Sequence, residues 1–162
     1  MRIHIAGNHE GYHLARGLED KLQEQGHEIH WHGPSAFEEG DDYPVYAIRV
    51  AQAVVSDEDA GAATAGVLLG RSGMGESITA NKVNGARAVV GLSSALVAEA
   101  RTHADANVLC LGAAFLDGDA CLRLVGQFLQ TPFGNTLDDA RRIVNTTEFE
   151  SSGTIEGWMI ER

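Results

Sequence analysis

Short apolar runs alternate along the chain with segments whose apolar residues recur at helical spacing. A run that is apolar throughout has to be covered on both faces, and a helix after each strand supplies the cover. The pattern therefore calls for a parallel sheet flanked by helices. Arg2 to Ala6 reads as the first strand and breaks at Gly7. Leu14, Leu18 and Leu22 then recur every four residues, the buried stripe of a helix that Gly26 closes. His27 to His32 reads as a second strand, and Thr64 to Leu69 as the third, most apolar and most central. Ala86 to Gly91 and Val108 to Leu111 complete the set. Further helices are predicted from Pro44 to about Val55, Glu76 to Lys82, Ala95 to His103, 119 to 130 and Leu137 to about Asn145. From Thr146 the pattern is lost, and the isolated Trp158 and Met159 read as covering a surface or a partner subunit.

A chain of 162 residues can bury one proper core without disulfides or a structural metal. Acids outnumber bases 23 to 12, a formal net charge of -11 that argues against nucleic acid and anionic membrane surfaces. The first residues run directly into an apolar alternation and nowhere do about 18 consecutive apolar residues occur, so the expectation is a cytoplasmic protein. Cys110 and Cys121, both among apolar neighbours, read as buried reduced thiols.

In an open parallel sheet, ligands bind beyond the carboxyl ends of the strands. The residues there are Asn8 and His9 after the first strand, the loop Gly70 to Ser77 after the third and Gly112 after the fifth, with His103 and Asp105 just ahead of the fifth. The spacing of Gly70, Gly75 and Ser77 fits a phosphate loop, except that Glu76 stands where such a loop carries its lysine. A carboxylate there repels a triphosphate, so a nucleotide site is disfavoured. What remains is a glycine-lined anion cradle with a base at its rim, suited to proton abstraction beside a carbonyl. Gly70, Gly73 and Gly75, with Ser72 and Glu76 around them, exceed what a tight turn requires. Of the seven histidines, His30 and His32 alternate on one strand, but nothing at ligand spacing completes a metal site.

His9 and Gly11, Asp42-Tyr43-Pro44, Ser72-Gly73-Met74-Gly75-Glu76, Ala80-Asn81-Lys82-Val83, Gly85-Ala86-Arg87, and His103 with Asn107-Val108-Leu109 and Leu111-Gly112 together resemble the ribose-5-phosphate isomerase B and galactose-6-phosphate isomerase family. The resemblance covers roughly residues 1–145, in order, as a single domain, and leaves 146–162 as a C-terminal extension, whose residues read as packing on a surface or a partner subunit. It implies an α/β fold, a Rossmann-like three-layer sandwich with a central parallel sheet. It implies a homodimer with active sites at the interface, open to further association as a tetramer, and metal-free, cofactor-free interconversion of aldose and ketose sugars through an enediolate. One branch of the family places a cysteine base at the position of Gly70; the other uses a glutamate at that of Glu76, which this chain resembles. By the same resemblance His103 serves ring opening and Ser72 holds a sugar oxygen. Asn8, His9, Tyr43, Gly70, Arg71, Gly73, Met74, Gly75, Arg141 and Arg142 are then the candidate substrate-binding residues.

Four positions depart from the family pattern: Asn8, Ala104, Ala114 and Asp138. Two stand where the family carries arginines, whose planar bidentate charge few residues replace. The expectation is isomerase chemistry with a substrate changed from ribose 5-phosphate. The competing expectation is a noncatalytic sugar-binding or regulatory dimer, for which neither Glu76 nor His103 has a physical use.

Overall fold

The computed structural model describes residues 1–154; Trp158 and Met159 lie outside the described residues. The chain runs β1 (Arg2–Gly7), α1 (Tyr12–Glu24), β2 (Glu28–Trp31), α2 (Tyr43–Asp59), β3 (Thr64–Gly70), α3 (Met74–Ala80), β4 (Ala88–Val90), α4 (Ser94–Ala104), β5 (Val108–Gly112), α5 (Gly118–Gln130) and α6 (Leu137–Ser152). The five strands form one sheet in the order β2-β1-β3-β5-β4, every pairing parallel. This is the α/β sandwich expected from the alternation, with β3 at its centre. The chain leaves β1 toward β2 and then returns to lay β3 on the other side of β1. The crevice beyond the carboxyl ends of β1 and β3 is thus where such a sheet accepts ligands. Register brings those ends together, with Gly7 opposite Leu69 and Gly70 opposite Gly112.

Alternate residues of the strands feed two cores. Ile3, Ile5, Val67, Leu69, Leu109 and Leu111 meet Leu18 and Leu22 of α1 and Val125 and Phe128 of α5. On the other face, Leu68, Val108 and Cys110 pack under Val50 and Val54 of α2. Each large side chain so buried contributes about 1.5–3 kcal/mol, which is why the sheet tolerates strands with no polar face. Cys110 and Cys121 are both buried and unpaired. Burial raises both thiols, that of Cys121 to about 11, so neither ionises near neutral pH.

Two helices outrun their expected ends, and in both cases the reason is a partner distant in sequence. In the last turn of α2, where the helix dipole disfavours acids, Asp57 is held by Arg2 at 3.1 Å and His4 at 3.0 Å, and Glu58 accepts from Asn107 at 2.8 Å. Beyond Asn145, α6 is pinned by Glu150, whose carboxylate accepts from the Gly85 N–H at 2.9 Å and whose carbonyl accepts from Asn84 at 3.1 Å. His30 and His32 do share a face, but their surroundings differ from the reading by local spacing. His4 of β1 sits between them and α2, with Nδ1 2.8 Å from Nε2 of His32 and Nε2 3.0 Å from Asp57. Among the described residues, no group of three or more His, Cys, Asp or Glu side chains is arranged to hold a metal ion, and no helix is long and apolar enough to cross a membrane.

Candidate active site

Gly70 ends β3, and the chain turns through Arg71 and Ser72 to Gly73, whose φ of 76° caps α3 from the left-handed region. Glu76, in the first turn of α3, folds back against the strand end and is only 5% exposed. A Cβ on Gly70 would lie 1.7 Å from Glu Oε1 of residue 76, so the glycine is what makes room for the carboxylate. Burial raises the pKa of Glu76, its own backbone N–H opposes the rise, and the charge of Glu10 adds to it. Desolvation by the protein thus outweighs the helix-end donor. Ser72 Oγ accepts from the Met74 N–H at 3.3 Å and lines a largely apolar cavity of about 280 Å³ with Met74, Val90, Leu92 and Phe115. Tyr43, the first residue of α2, lies against Gly75, where an added Cβ would meet its hydroxyl at 2.6 Å.

Beyond β1, Asn8 is 4% exposed, and its Oδ1 has no hydrogen-bond partner among the described residues. His9 is fixed twice by Asp41, through its backbone N–H at 2.6 Å and its Nδ1 at 2.9 Å, and the carboxylate raises the pKa of the ring. Asp41 lay unnoticed in an acidic, turn-rich segment, which carries no local sign of a histidine partner. Arg71 extends outward, with its side chain 73% exposed, to Glu10 at 3.3 Å.

The remaining candidates occupy the opposite edge of the sheet. α4 leads into β5, so His103 in its last turn stands at the amino ends of the strands, whereas Glu76 stands at the carboxyl ends. His103 and Arg142 line a cavity of about 340 Å³ with Arg87, Val89, Ala104, Ile143 and Thr146. It shares no residue with the cavity beside Ser72. Between His103 and Arg142 lies Asp139, a residue that sequence reasoning missed. Its carboxylate receives His103 Nδ1 at 3.0 Å, Arg142 at 2.8 Å and the Thr136 hydroxyl at 2.8 Å. The signal was present as Thr136-x-x-Asp139, a capping pattern at the start of a helix. Hydrogen bonding to Asp139 raises the pKa of His103. Arg141 turns away and pairs with Asp138 at 2.8 Å.

The family model described as Ribose/Galactose Isomerase matches residues 3–146. Ribose-5-phosphate isomerase B of Mycobacterium tuberculosis (strain CDC 1551 / Oshkosh) is 34% identical over 150 residues, 93% of this chain and 90% of that protein. A probable ribose-5-phosphate isomerase B of Mycoplasma pneumoniae is 35% identical over 131 residues, 81% of this chain and 84% of its own. The crystal structure of ribose-5-phosphate isomerase B from Mycoplasma genitalium with bound ribulose-5-phosphate superposes with a TM-score of 0.87 at 32% identity, covering 93% of this chain and 97% of that one. The enzyme of Clostridium thermocellum gives 0.86 at 35% identity, covering 95% and 100%.

Proposed function

Since the chain belongs to the ribose/galactose isomerase family, we propose that it interconverts an aldose and a ketose sugar phosphate by proton transfer through an enediolate, with Glu76 as the base. The observation that carries this reading is the buried carboxylate of Glu76 seated over Gly70 at the carboxyl end of the central strand. Burial makes it a stronger base than a solvated glutamate, as abstraction from carbon demands. Glu76 takes the proton from the carbon beside the open-chain carbonyl and returns it to the neighbouring carbon. The negative charge that gathers on oxygen meets backbone N–H groups of the glycine loop, donors typically worth about 3 kcal/mol each, while Ser72 holds a sugar oxygen. Asn8, His9 and Tyr43 border the same strand ends and supply contacts to hydroxyls. A noncatalytic sugar-binding role gives no reason to bury a carboxylate in this way.

His103 and Arg142 act in the site of a second copy. Their position at the far edge of the sheet supports this, as do the exposed side chains of Met74, Ile78, Leu92 and Phe115 beside the Glu76 loop, which a partner would cover. Leu137, Val144 and Phe149, exposed along α6, support packing of the C-terminal extension on that partner. In the assembled site His103 opens the sugar ring and Arg142 meets the phosphate. With Asp138 beside Arg141 and alanine at position 114, the fixed positive charge is modest, which favours a substrate other than ribose 5-phosphate. The two unpaired buried thiols suit a reducing cytoplasm.

The test is a panel of tetrose, pentose and hexose phosphates and the free sugars in deuterated water, with deuterium at the exchanged carbon followed by NMR. Exchange into one phosphorylated aldose-ketose pair is the expected result. Exchange into none of them, by a folded protein, would overturn the proposal.

A further inference from the structure

We propose that Asp139 is a positioning residue for ring opening: it fixes the tautomer of His103 and holds Arg142 at the same mouth, so that imidazole and guanidinium enter the partner's site as one unit. The inference rests on the proposed function, but its central observation is geometric. Asp139 is the one buried residue of α6, 6% exposed. One carboxylate oxygen accepts from both Thr136 Oγ1 at 2.8 Å and His103 Nδ1 at 3.0 Å, while the other accepts from Arg142 at 2.8 Å. The Asp139 N–H in turn donates to Thr136 Oγ1 at 3.2 Å, which fixes the carboxylate from its own helix.

The consequence for His103 follows from the hydrogen-bond inventory of imidazole. An ionised carboxylate only accepts, so Nδ1 must carry a proton, and proton exchange is confined to Nε2. Glu99 stands 3.7 Å from Nε2 on the preceding turn of α4. Two cations, Arg142 from α6 and Arg87 ahead of β4, border the same cavity. Asp139 and Glu99 favour the imidazolium, Arg142 opposes it, and the balance is a raised pKa. The imidazolium then gives its Nε2 proton to the ring oxygen of the sugar. The bond from that oxygen to the anomeric carbon breaks, the anomeric carbonyl forms, and the hydroxyl proton of the anomeric carbon passes to water. What remains on His103 is the neutral tautomer that Asp139 already holds, and solvent restores the Nε2 proton.

The experiment combines histidine ring NMR titration with two rate measurements, on wild type, Asp139→Asn and Thr136→Ala, with His103→Gln to assign the resonance. In Asp139→Asn the His103 midpoint should fall by at least about half a pH unit. Thr136→Ala loosens the cap but keeps the charge, and its midpoint should stay near that of wild type. The rates are net conversion of ribose 5-phosphate and solvent-deuterium exchange into ribulose 5-phosphate, a ketose whose blocked terminal hydroxyl leaves it open-chain. Asp139→Asn should slow the first more than the second by about tenfold, and the pH limb of the first should move with the NMR midpoint. An unchanged midpoint, equal losses in both rates, or a Thr136→Ala that matches Asp139→Asn would reduce Asp139 to a helix anchor and overturn the proposal. Wild type inert toward both sugars would mean a substrate outside this pair, and the two rates are then taken on the pair that the exchange panel identifies; inertness toward the whole panel would count against the proposed function instead, and the titration would still decide the role of Asp139.

Discussion

The two edges of the sheet are built on opposite electrostatic terms. At the carboxyl edge, beside the Asp41–His9 pair, Glu76 is buried against glycine backbone with no ion-pair partner among the described residues, and desolvation sets its basicity. At the amino edge the charges are paired: Asp139 with His103 and Arg142, Asp57 with Arg2 and His4, and Glu58 and Asp105 with Arg87. An isolated buried group changes its proton affinity, whereas a paired group gains fixed geometry and keeps its charge. The first arrangement suits a group that must take a proton from carbon. The second suits groups that orient a substrate or hand over a proton already in place.

The most severe way to break this contrast is to remove the buried acid that has no ion-pair partner among the described residues, Glu76. Glu76→Gln preserves shape and hydrogen bonding but cannot accept a proton from carbon, so deuterium incorporation into the substrate should fall by at least about a hundredfold. Undiminished exchange would transfer the chemistry elsewhere. A mixing experiment asks next whether the two edges meet across copies of the chain. Glu76→Gln and His103→Gln homodimers are each inactive in ring-opening turnover by this account. Dissociated and reassociated together, they place both changes in one site of each heterodimer and leave the other intact. Random pairing should then restore about one quarter of wild-type activity. No recovery in a confirmed heterodimer would mean that Glu76 and His103 do not meet across copies of the chain.

A smaller change tests the burial of Glu76 rather than its presence. In Gly70→Ala the new methyl claims the space of the Glu76 carboxylate, which must rotate toward solvent. Turnover should drop by about tenfold, with a destabilisation of about 1–3 kcal/mol from overpacking, measured by activity and by denaturant melts. Lower activity with stability unchanged would mean that the carboxylate moves aside without strain.

How far each edge could be read in the sequence follows from the same contrast. Strand, glycine turn and the first turn of α3 are contiguous, so Gly70, Ser72 and Glu76 declared their position, and the chemistry proposed for them, within a few residues. The alternation that dictated the sheet is equally local, as is the stripe of Leu14, Leu18 and Leu22, of which Leu18 and Leu22 are buried and Leu14 half-buried. The amino edge is assembled from residues dozens apart, such as His103 with Asp139 and His4 with Asp57, and no local period marks such pairs. That is also why α2 and α6 run past their expected ends: their last turns are stabilised by side chains that only the folded sheet brings near. Arg142, expected among the substrate-binding residues, meets Asp139 for the same reason.

The mildest effect belongs to the chain of imidazoles that runs from Asp57 past His4 to His32, just beyond the carboxyl end of β2. His32 is held down to about 4, first by burial and then by the charges of His4, His30 and Arg49. Its ordinary value is 6.5, so between 6.5 and about 4 the unfolded chain binds a proton that the folded chain refuses. The sign follows: this contribution to stability is complete above 6.5 and is lost as the pH falls toward 4. Thermal midpoints measured across that window should decline less steeply in His32→Gln than in wild type, because glutamine keeps a polar partner for His4 but takes up no proton. Parallel declines would assign the acid sensitivity to the carboxylates of the amino edge. A flattened decline would show that this half-buried imidazole behaves as Glu76 does, with burial rather than pairing setting its proton affinity.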